Sequence, residues 1–181
     1  MHWNVRPVLA AGLVSLLAAW AAPAQAQDSG HGYRQVLSAN PFGLLLKFFN
    51  AEYERALTES TTIGIGGSFG TNEDVDEFTG ETEESTWFNG DVFWRFYPSG
   101  SHFEGWNFGV KAGLTHQEGW SQEPGTNFGL GFDANRSWLL GKNNNFYVGV
   151  GFGLKRLFGE VPDGGLEIVP TIRVVNVGFA F

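Results

Sequence analysis

Asn127-Phe128-Gly129-Leu130-Gly131-Phe132-Asp133-Ala134-Asn135-Arg136-Ser137-Trp138 alternates between large apolar side chains and small or polar ones, with Arg136 as the exception on the apolar side. Phe146, Val148, Val150, Phe152 and Leu154 repeat the pattern against Tyr147, Gly149, Gly151, Gly153 and Lys155. A period of two is that of a β-strand. Strands of a soluble sandwich alternate as well, so the period alone does not separate a sandwich from a barrel. The character of the two faces does. One face is large and aromatic, as acyl chains require; the other is glycine-rich with isolated charges, as a narrow barrel interior requires.

Outward from this stretch, the same pattern predicts strands near 167–181, 144–157, 126–139, 105–116, 85–97, 61–71 and 48–58. The segment 33–45, with Asn40-Pro41-Phe42-Gly43-Leu44, is less regular. An odd antiparallel set cannot close without a parallel seam, so 33–45 is counted as a first strand. The expected fold is all-β, an eight-stranded antiparallel up-and-down transmembrane β-barrel. Short turns at 58–60, 98–101 and 141–144 alternate with longer connections at 72–84, 117–125 and 158–166. The first connection, around Leu46 and Lys47, is tight for an outer loop. Arg55 and Arg136 fall on the lipid side near strand ends, where a long cationic chain snorkels to headgroups. Trp94, Tyr97, Trp106 and Trp138 share a level and are expected to form an aromatic girdle.

The barrel is expected to span 33–181, after a signal peptide at 1–26 and a short periplasmic tail at 27–32. Arg6 supplies the positive region, Val8 to Trp20 an apolar run, and Ala24-Gln25-Ala26 a cleavage site. Removing Arg6 leaves 10 basic against 19 acidic residues, a charge of −9. Such a balance argues against a nucleic-acid partner. With no cysteine, there is neither a disulfide framework nor a lipoprotein anchor. An exported chain with strands suited to lipid points to the outer membrane of a Gram-negative cell.

An eight-stranded barrel is filled by its own side chains. Facing the lumen are Glu52, Glu54, Asp91, Arg95, Lys111, Asp133 and Lys155. Buried charges are costly unless paired, so an ion-pair network is expected, with Lys111 between Asp91 and Asp133. The segment 72–84 carries seven carboxylates and no base. Asn72, Asp74, Asp76 and Glu83 sit at EF-hand-like offsets, but Glu77 stands where the loop needs glycine, so a solvated acidic loop is expected. No cofactor or resident metal is implied. His31 and His102 read as surface residues.

Asn40-Pro41-Phe42-Gly43-Leu44, Asn50-Ala51-Glu52-Tyr53-Glu54-Arg55-Ala56-Leu57 and Arg95-Phe96-Tyr97-Pro98 ahead of Gly105-Trp106-Asn107-Phe108-Gly109 together resemble a family of small outer-membrane barrels of unknown function common in Bacteroidetes-type genomes. More broadly the chain looks like the barrel half of OmpA-type proteins, with no peptidoglycan-binding part expected after Phe181. Val177-Gly178-Phe179-Ala180-Phe181 is similar to the signal read by the barrel insertion machinery, carried by Phe179 and Phe181. Asn176 stands where that signal usually has glycine.

These observations lead to a structural or surface-interaction role, without catalysis, for a monomeric or weakly associated barrel facing outer-membrane lipid and lipopolysaccharide. One alternative is a lipid A-modifying enzyme, an acyl hydrolase or transferase, using His116 with Glu118 and Ser121. It requires His116 to lie against a hydroxyl. Another is a conduit for small apolar molecules, which requires an apolar pocket in the outer half of the lumen.

Overall fold

Alternating residues on an extended backbone point to opposite faces, and eight such segments build one sheet. A computed structural model describes residues 32–75, 82–118, 124–159 and 167–181. The strands are β1 (Gln35–Ala39), β2 (Phe48–Ala56), β3 (Thr61–Val75), β4 (Thr82–Phe96), β5 (Gly105–Glu118), β6 (Gly125–Leu140), β7 (Phe146–Phe158) and β8 (Ile168–Ala180). Each pairs antiparallel with the next, and β1 pairs with β8 from Val36↔Ala180 to Ala39↔Val177, closing the barrel. Residues 1–31, and with them the expected signal peptide at 1–26, most of the expected tail at 27–32, and His31, lie outside the described residues.

The stagger follows from the register. Leu37 lies across from Tyr53, and its row continues through Ile65, Val92, Ala112, Leu130 and Arg156 to Ile168. Leu37 itself pairs with Phe179, so the row returns 179 − 168 = 11 residues away. One of these is an extra residue: Val174 and Val175 lie across from the single Val150, a β-bulge. A net stagger of ten over eight strands requires strongly inclined strands.

Three expectations about the limits of the strands need correction. The first strand is only Gln35–Ala39; Phe42–Leu46 forms a 3₁₀ turn, started by Asn40, whose Oδ1 accepts from the Phe42 and Gly43 amides at 3.0 Å. That side-chain bond competes with the ladder and ends the strand. The first connection is therefore Asn40–Lys47 and is not tight. The acidic stretch 72–84 is largely strand: the ladder continues through Glu73↔Glu84 and Asp74↔Glu83 to Val75↔Thr82. Asp76, Glu77 and Glu81 lie outside the described residues.

Leu37, Phe69, Val92, Phe108, Phe132 and Phe152 are among the exposed apolar residues that cover the outer wall. Trp94 and Trp106 belong to that wall. Tyr97 does not; it is fully buried, with its hydroxyl on Glu54, which removes it from the expected girdle.

At the end holding Gln35 and Ala180, here the near end, the lumen is closed by Val36, Ala56, Phe103, Leu139, Tyr147 and Ala180. Phe103 comes from the β4–β5 connection, Tyr97–Glu104, and is fully buried with φ +66°. His102 is buried beside it, in an edge-on ring contact at 4.8 Å, with Nε2 2.9 Å from the Tyr33 carbonyl. The surface reading of His102 is thus corrected: its turn folds into the barrel mouth as a stopper. Apolar burial of Phe103 outweighs the strain of a left-handed backbone, which costs on the order of 1–3 kcal/mol.

Candidate functional site

Every lumen residue expected from the alternation faces inward, and Arg173 joins them. Four carboxylates, Glu52, Glu54, Asp91 and Asp133, then face four cations, Arg95, Lys111, Lys155 and Arg173. Over the described residues this network sums to zero, in keeping with a space shielded from bulk water.

Arg95 is the hub. Its Nη1 donates to Glu52 Oε2 at 3.0 Å and Glu54 Oε2 at 2.8 Å, and its Nε lies 3.5 Å from Asp133 Oδ1. The guanidinium also sits 3.9 Å above the Phe93 ring. Glu54 Oε1 accepts from Thr62 Oγ1 at 2.5 Å and the Tyr97 hydroxyl at 2.8 Å, so both of its oxygens are bonded. Arg173 donates to Glu52 and, at 3.1 Å, to the Tyr147 hydroxyl. Asp133 also receives Lys111 Nζ at 3.3 Å and Asn135 Nδ2 at 2.6 Å.

A glycine makes the central pair sterically feasible. Arg95, Gly109 and Asp133 occupy one row on β4, β5 and β6. A Cβ on Gly109 would stand 2.5 Å from Asp133 Oδ1 and 2.9 Å from Arg95 Cγ, so any larger residue would wedge the pair apart.

Nearer the far end lies a second cluster. Lys155, fully buried, places Nζ 2.6 Å from Asp91 Oδ1 and 3.4 Å from Asn89 Oδ1. Asn89 Oδ1 also accepts from Thr115 Oγ1 at 2.5 Å. The expectation that Lys111 bridges Asp91 and Asp133 is therefore corrected: Lys111 bonds Asp133 and, at 2.8 Å, Thr171 Oγ1, while Lys155 takes Asp91. Lys111, Gly131 and Lys155 share a row, and giving each ammonium its own carboxylate separates the like charges. Between the clusters is a polar cavity of about 50 Å³ bordered by Asn50, Ser68, Asp91, Lys111, Asp133 and Arg173. It has room for about three waters.

Arg173 was missed because the bulge reverses the alternation of β8: Thr171 and Arg173 face inward, and so do Asn176 and Ala180. The adjacent apolar pair Val174-Val175 between two polar residues was the available signal.

On the outer wall at the far end, His116 Nδ1 lies 2.8 Å from Thr126 Oγ1, its direct cross-strand neighbour. Ser121 is outside the described residues, and Glu118 makes no contact with His116 among those described. No group of three or more potential metal ligands occurs among the described residues.

The closed antiparallel ring with a charged, neutral interior defines a small up-and-down β-barrel. No protein-family model matches the chain, and no curated protein matches it. Among solved structures it is similar to the N-terminal β-barrel domain of Pseudomonas aeruginosa OprF, at 18% identity and a TM-score of 0.41, covering 81% of this chain and 94% of that one.

Proposed function

We propose that this chain is a small outer-membrane barrel with a structural or surface-interaction role, its lumen sealed and its wall embedded in lipid. The observation that carries the reading is the inversion of polarity. Most of the large apolar side chains face out, while the eight charges of the described network face in and cancel. In water this arrangement would expose a continuous apolar surface far beyond that of a soluble monomer. The ion-paired lumen, closed by Phe103 at one end, speaks against both a pore and an apolar conduit. The test is reconstitution. The purified chain should partition into vesicles, shift its gel migration on heating, and give no steady conductance in a planar bilayer; a stable open channel would overturn the sealed lumen.

A second reading is favoured by His116 against Thr126, a base beside a hydroxyl. Acyl chemistry there would use Thr126 as nucleophile, yet no carboxylate orients the imidazole among the described residues. Lipid A mass spectra from cells with and without the protein separate the two: unchanged acylation supports the structural role, and a lost or gained acyl chain supports the enzyme.

A further inference from the structure

We propose that Arg136, held between Trp106 and Trp138, is a binding site on the outer wall for the phosphodiester headgroup of a membrane phospholipid. The site rests on the membrane reading above and gives it a specific lipid contact.

Arg136 is exposed on the outward face of β6. Trp106 lies directly across on β5, and Trp138 is two residues along the same strand face. The Arg136 Cζ is 5.6 Å from the Trp106 ring centre and 5.3 Å from that of Trp138, both within cation–π range. Among the described residues Arg136 has no carboxylate and no hydrogen-bond partner. It is set apart from the other outward arginines described: Arg156 has a single ring, Phe158 at 5.7 Å.

The surroundings make an unpaired cation anomalous. Exposed Phe108 and Phe132 lie on one side of Arg136, and exposed Leu140 and Phe146 on the other. Arg136 is four residues from the end of β6 at Leu140. At ~3.3 Å per residue and a tilt of ~40°, its backbone is roughly 10 Å inside the near end of the wall. An arginine there must reach toward the headgroups, because its cost rises steeply with depth. Two indoles lie within cation–π range of its guanidinium, and its fork of donors has no protein partner among the described residues. That fork matches two oxygens of a phosphodiester, and indoles themselves favour the headgroup level. At the near end, the leaflet in reach is the one facing the chain termini, the phospholipid leaflet for a barrel inserted from the periplasm.

Native mass spectrometry of the full chain, folded in zwitterionic detergent, tests this with phosphatidylglycerol as probe. Wild type should retain one lipid, Arg136→Gln should retain about tenfold less, and Arg156→Gln should match wild type. Diacylglycerol, which lacks the phosphate, should not be retained. A Trp106→Leu/Trp138→Leu variant, which keeps the charge but not the rings, should lose retention several-fold; it decides the matter if Arg136→Gln fails to fold. Equal retention in wild type and both variants, or equal loss in Arg156→Gln, overturns the site. Displacement of the lipid by inorganic phosphate shows a free-anion site and overturns the lipid assignment. Failure of wild type to partition into vesicles sinks the membrane reading instead, and is scored separately.

Discussion

Arg173 on β8 bonds Glu52 on β2, so the ion pair passes behind the whole width of β1. Asn176 on β8 and Asn50 on β2 make a second crossing beside it, at 2.9 Å. β1 has only five residues, and these two contacts tie its neighbours together from inside the barrel. The closure of the ring rests on side chains as well as on the ladder.

Replacing Arg173 with Met leaves four carboxylates facing three cations. The expected loss is about 3–5 kcal/mol, the range for breaking one partner of a buried pair. Adding Glu52→Gln restores neutrality and should recover part of the loss. Urea titration of the vesicle-folded barrel measures both, and strict additivity would show that the two residues are not coupled.

Arg95→Met takes a cation from Glu52, Glu54 and Asp133 at once and leaves Glu54 with none among the described residues, so it should cost at least as much as Arg173→Met. The same titration ranks the two variants. A milder effect at Arg95 would displace it as the hub.

Gly109→Val should destabilise by at least the ~1–3 kcal/mol of ordinary overpacking, because its Cβ would meet Asp133 and Arg95. Gly67→Ala is the matched control. Its Cβ would meet only the Asn89 carbonyl, at 3.6 Å, and the variant should fold as wild type.

Tyr97, beyond the end of β4, keeps its phenol proton well above the ordinary range, first because it is buried and then because Glu54 lies against it. A raised value in the folded state favours the neutral phenol there. Its stabilisation is therefore complete below the unfolded value of about 10 and is lost as pH rises through the folded value. An alkaline absorbance titration should contain a phenol that ionises late or only on unfolding, and Tyr97→Phe should delete it.

Phe103→Ala should cost about 3–5 kcal/mol, as for a buried aromatic, and open the near mouth. Conductance should remain absent, because the ion pairs lie above the stopper. Current through this variant would mean that Phe103 alone closes the barrel.

The alternation of Phe128 to Trp138 established the strand period; carried to the other strands it placed seven of the eight lumen charges described, and the eight-strand count needed the parity argument over 33–45 as well. Local rules failed where one residue changed the frame or the backbone. Val174-Val175 reversed β8 and hid Arg173, and Asn40 capped a 3₁₀ turn where a strand was expected. His102 read as a surface residue and Phe103 carried no signal, because burial of a connection depends on the shape of the mouth it closes. The partner of Asp91 depended on a ten-residue stagger, which sets Lys155 rather than Lys111 within reach and has no local signature.

Arg173 lies on β8, the strand that closes the ring against β1. Until β8 docks, the described network holds three cations against four anions, an uncompensated unit of charge in a space being stripped of solvent. Closing the final seam and neutralising the interior are therefore one event, and a barrel stalled before it would carry an electrical penalty that complete closure removes.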